Sequence, residues 1–67
     1  MKGVEFYYQK FESLLERWNE KYAKEFRRYA DAHTPNYVYL WLTEMQKKDG
    51  FPKEITDLME DFFWEIW

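Results

Sequence analysis

The chain has no cysteine, only two glycines and two prolines, and a single histidine and serine among its 67 residues. Without cysteine there is no disulfide staple and no thiolate metal cluster, so a domain this small must be held by packing or by association. Gly3 and Gly50, far apart and alone, exclude a glycine-rich phosphate loop. Ser13 and His33, with no thiol, provide at most one weak nucleophile and base combination, and an enzyme is not expected. His33 with Asp31 makes two metal ligands without a third. Glu12, Glu16 and Glu20 repeat every fourth residue, but bundle carboxylate sites also need a Glu-x-x-His element that the chain lacks. Those acids read as a solvated helix face, and neither cofactor nor metal is expected. No apolar run approaches the roughly 20 residues that span a bilayer. Membrane-surface binding is also disfavoured, because the Trp- and Phe-bearing C-terminal stretch carries acids where interfacial helices carry Lys and Arg. A cysteine-free chain without a leader fits a cytoplasmic protein.

What the chain does have is aromatic bulk: six Phe, six Tyr and four Trp. Each can bury roughly 150 to 250 Å². Val4, Tyr8, Phe11, Leu15, Trp18, Tyr22, Phe26 and Tyr29 recur at intervals of three and four, which predicts one long helix over about residues 3–32. Phe6 falls on the opposite face. Thr34 and Pro35 are a helix-start pair, and a second helix is expected over 35–48, with Val38, Trp41, Leu42 and Met45 inward and Leu40 outward. Asp49, Gly50, Phe51 and Pro52 supply a stop, with Phe51 free to fold back toward Met45. Ile55, Leu58, Met59, Phe62, Phe63 and Ile66 then mark a third amphipathic helix over 52–66. Trp67 lies at the edge of that stripe and is assigned to the core. The expected fold is a single all-α domain of three helices, the long N-terminal one packed by a shorter helical hairpin around an aromatic core.

At 1.5 Å per residue the long helix would reach about 40 to 45 Å and its companions only about 20 Å each. The surplus flank is the N-terminal half. Three arrangements hide it: the third helix covers it, the long helix breaks near Asn19, or two chains pair there. A continuous helix is the expectation, and Tyr7, Tyr8, Phe11, Leu14 and Leu15 are the candidate dimer face.

The net charge of −3 is unevenly spread. Glu54, Asp57, Glu60, Asp61 and Glu65 crowd the third helix, whereas Lys21, Lys24, Arg28, Lys47 and Lys48 form a candidate basic patch. A DNA-reading helix-turn-helix would set that acidic helix against phosphates and is disfavoured. Trp64 lies opposite the third helix's apolar stripe, ringed by Asp57, Glu60 and Asp61, and resembles an interface hot spot with a polar rim. The expected function is therefore a non-enzymatic protein–protein interaction module. It would be a small acidic inhibitor or adaptor whose third helix docks, through Asp57, Glu60, Asp61 and Trp64, on a basic surface of another protein, a nucleic-acid-binding surface being one such target. The alternatives are a structural homodimer with no separate partner and a weak nucleic-acid binder using the Lys/Arg patch.

Overall fold

The computed structural model describes residues 3–67 and is all-helical in that range. Among these residues there are four helices rather than the three expected: α1 (Val4–Trp18), α2 (Glu20–Ala32), α3 (Pro35–Asp49) and α4 (Lys53–Ile66). The long N-terminal helix does not exist as a unit. It breaks at Asn19, whose backbone is extended at φ −158° and ψ 105° and serves both as the C-cap of α1 and the N-cap of α2.

Asn19 is chemically suited to this double duty. Its backbone N–H closes α1 by donating to the Leu15 carbonyl at 2.6 Å. Its side-chain oxygen accepts from the Lys21 N–H at 3.1 Å, and its own carbonyl accepts from the N–H groups of Tyr22 and Ala23. The helical bonds that Lys21 and Tyr22 would have made across the junction are thereby replaced rather than lost. Each such bond is worth only about 0.5 to 1.5 kcal/mol net. The gain is larger: the break lets α1 fold back on α2 and seals Tyr8, Phe11 and Leu15, each at 6% exposure or less. Burying a large apolar side chain stabilises by roughly 1.5 to 3 kcal/mol, so burial decides in favour of the hairpin.

Once broken, the helices are of nearly equal length, 15, 13, 15 and 14 residues, or about 20 Å each. The surplus flank that motivated a second chain is gone. Each helix packs against its sequence neighbours, and α4 returns to close against α1. Cross-contacts run antiparallel around this ring. Tyr8 and Phe11 meet Phe26, Tyr22 and Phe26 meet Trp41, Tyr39 stacks on Phe63, and Phe62 returns to Tyr7, Tyr8 and Phe11. This is an up-down-up-down arrangement.

The other punctuation falls where the sequence places it. Pro35 opens α3 and Gly50 ends it in the left-handed region at φ 69°. Phe51 packs edge-on to Trp18 and Tyr22, and Tyr22 in turn reaches the Met45 sulfur. The Phe51 N–H donates to the Gln46 side-chain carbonyl, which ties the α3–α4 corner to the last turn of α3. Phe6 is partly exposed, meets Tyr7 edge-on and lies under the Lys10 ammonium.

Two polar atoms are enclosed without a hydrogen-bond partner among the described residues, the Tyr8 hydroxyl and Arg27 Nη1. The other end of the Arg27 guanidinium donates to Glu5 at 2.8 Å, linking α2 to the start of α1, with Asp31 at 3.7 Å. The Glu5 hydrogen bond is the main reason the Arg27 pKa is raised. Burial raises the phenols of Tyr7 and Tyr8, with nearby acids adding to it: Glu65 and Asp61 at Tyr7, Glu5 and Asp31 at Tyr8. A phenol with a raised folded-state pKa holds its proton where the unfolded chain releases it, so stability is full below the ordinary value of about 10 and falls as pH rises through it. Tyr8→Phe removes an unpartnered hydroxyl and is expected to leave stability unchanged or raise it by up to about 1 kcal/mol. It should also flatten the alkaline decline. Chemical denaturation at pH 7 and pH 11 checks both, and a clear loss of stability at pH 7 would show that the hydroxyl is satisfied after all.

Candidate functional site

The residues proposed as a dimer face lie inside a single chain. Tyr7, Tyr8, Phe11 and Leu15 are buried and Leu14 is half-buried. Folding at Asn19 turns that face against α2 and α4, so it offers no flank to a second copy.

The α4 residues are different. Trp64 is 76% exposed, the most exposed of the large apolar side chains described. It sits at the middle of the outward face of α4, with Asp57 and Asp61 on the α1 side and Glu60 on the α3 side. Asp57 is tied to Lys53 at 3.0 Å. Glu60, Asp61 and Glu65 form no ion pair among the described residues. Asp57 and Asp61 also overlook a shallow groove between α1 and α4, floored by Leu14 and Leu58 and faced from α1 by Lys10 and Arg17. Arg17 reaches across to Glu54 at 3.8 Å.

Trp67, assigned to the core from the sequence, is 59% exposed. Its wheel position is beside Glu60 and Trp64 on the outward side of α4, beyond the inward stripe rather than at its edge. The Phe63 ring touches both indoles, with centroids 5.4 Å from Trp64 and 5.9 Å from Trp67, and stacks on Tyr39 of α3 at 5.3 Å. Tyr39, Phe63, Trp64 and Trp67 are therefore one aromatic cluster across the α3–α4 edge. The exposed Leu40 of α3 neighbours Tyr39 in sequence. Leu40 points outward, as its place off the α3 stripe predicts, and only the α3–α4 pairing brings Tyr39 to the α4 aromatics.

The basic residues are dispersed by comparison. Lys24 is paired with Glu20 at 3.9 Å and Lys47 with Glu44 at 3.8 Å. Lys21, Arg28 and Lys48 have no carboxylate partner among the described residues. Arg28 borders a groove between α2 and α3 with Glu25, Tyr29, Ala32, His33 and Trp41. There His33 lies flat on Tyr29 at 3.8 Å, with its Nδ1 3.0 Å from the Tyr29 carbonyl, and Tyr29 stacks on Trp41. Tyr29 is thus stacked on two rings of its own chain. No helix among the described residues is long and apolar enough to cross a membrane.

The fold and this surface define an all-α aromatic-core bundle with one acidic aromatic edge. The chain matches no protein-family model, and no match was found among curated proteins or solved structures.

Proposed function

We propose that the protein is a non-enzymatic interaction module, a small acidic inhibitor or adaptor that docks through α4 on a basic, nucleic-acid-binding surface of a partner protein. The observation that carries this reading is Trp64, 76% exposed on a helix whose Glu60, Asp61 and Glu65 have no cationic partner among the described residues. An exposed indole has no role in the core, and unpaired carboxylates around it favour a cationic counterpart and repel phosphate. Carboxylates spaced along a helix can occupy a phosphate-binding surface in place of nucleic acid. The homodimer alternative loses the uncovered flank that motivated it, and the basic patch is divided by its own local ion pairs.

The test is capture from the source cell with the native protein, with Trp64→Ala, and with the charge reversal Glu60→Lys/Asp61→Lys. The expected result is a captured protein that a polyanion such as heparin releases and that both variants fail to retain. Retention by both variants, or indifference to polyanion, removes this reading. Both variants change exposed positions, so their melting temperatures should stay near the native value.

A further inference from the structure

The outward face of α4 places two indoles and a carboxylate in one strip. Glu60, Trp64 and Trp67 follow each other at intervals of four and three residues, which is one side of a helix. Helical side chains lean toward the N-terminus, which sets the Trp64 ring toward the turn that carries Glu60 and Asp61, and the Trp67 ring meets Phe63 edge-on. Phe63, braced by Tyr39, touches both indoles and supports them from beneath. No Lys or Arg among the described residues is stacked on either indole, whereas Phe6 has Lys10 over its ring at 4.8 Å.

Exposed indole faces beside unpaired carboxylates are chemically selective between the two basic side chains. A guanidinium is planar and weakly hydrated; it can stack on an indole while its edge donates hydrogen bonds to a carboxylate. An ammonium is compact and strongly hydrated, and it gains chiefly the Coulomb attraction.

We propose that this strip is an arginine-reading site: the partner's docking segment presents arginine, with one guanidinium seated on Trp64 or Trp67 and bonded to Glu60 or Asp61. This rests on the basic-surface reading above and adds to it the identity of the recognised side chain. The α2–α3 groove at Trp41 is the poorer candidate, because Tyr29 there is already stacked on His33 and Trp41 and Arg28 repels a cation.

The test titrates the full chain with two blocked peptides of equal charge, hexaarginine and hexalysine, following the indole N–H resonances. The expected result is that hexaarginine binds about two- to fivefold tighter and moves the Trp64 and Trp67 signals. Trp64→Ala should reduce that preference toward unity, and Glu60→Gln/Asp61→Asn should weaken both peptides. Equal affinity for the two peptides, with the indole signals unmoved, overturns the arginine assignment while leaving a merely basic partner in place. Failure of both peptides to bind overturns the basic-surface reading and this inference together. If the peptide-free protein doubles in mass by sedimentation and its Trp64 signal shifts on dilution, a second copy occupies the strip and the assignment also fails.

Discussion

Phe62→Ala is expected to cost about 3 to 5 kcal/mol, the largest effect of any substitution considered for this chain. Phe62 is fully buried and is the one α4 ring that meets Tyr7, Tyr8 and Phe11 together. Removing it opens a cavity where α4 closes the ring of helices against α1, and rigid neighbouring aromatics cannot collapse into the space. A domain of this size has roughly 3 to 10 kcal/mol to lose, so the variant should melt at least about 12 °C lower or fail to fold, measured by far-ultraviolet circular dichroism. Trp64→Ala is the paired measurement, expected to change stability by no more than about 0.5 kcal/mol. If the two substitutions lower the melting temperature equally, Trp64 is a structural residue and the docking reading loses its support.

Asn19→Ala should have the second largest effect, and of a different kind. The substitution removes the side-chain oxygen that accepts from Lys21, which costs about 1 kcal/mol at an N-cap, and it installs the best helix former at the one residue that separates α1 from α2. Both changes favour fusion of α1 with α2. A fused rod cannot fold back on itself, so α1 would bury its face in the bundle of another chain, the exchange known as domain swapping. A concentration-dependent dimer is expected by light scattering, whereas Asn19→Gly, which costs a cap only a few tenths of a kcal/mol and does not promote helix, should retain the native mass. An Asn19→Ala protein that keeps native mass and stability would show that core burial alone holds the break.

These two positions also mark how far the chain could be read before folding. Phe62 sits in a period of three and four that helical geometry makes unambiguous, and its burial follows from the pattern. Asn19 sits in the same kind of pattern, and the pattern conceals the break. With only one residue between α1 and α2, the spacing across the junction stays at three and four, so a rod and a hairpin have the same signature. Asn is a strong N-cap, yet it also occurs within helices, and neither Pro nor Gly marks the site. The candidate docking residues divide in the same way. The outward positions of Trp64 and Trp67 follow from their angles on the helix alone, whereas their connection to Tyr39 through Phe63 depends on α3 lying against α4.

By itself, the order of residues determined an all-α chain, its inward stripes, the Pro35 start, the Gly50 stop, and an acidic C-terminal helix with an indole opposite its core face. These depend on local geometry, the 3.6-residue turn and the allowed backbone angles. Tertiary structure alone decided that α1 and α2 are separate, that Tyr7, Tyr8, Phe11 and Leu15 are interior to one chain, and that Tyr39 joins Phe63, Trp64 and Trp67 in one surface. Those outcomes turn on which helix lies against which, where the burial of several aromatic side chains outweighs the few hydrogen bonds exchanged at one asparagine.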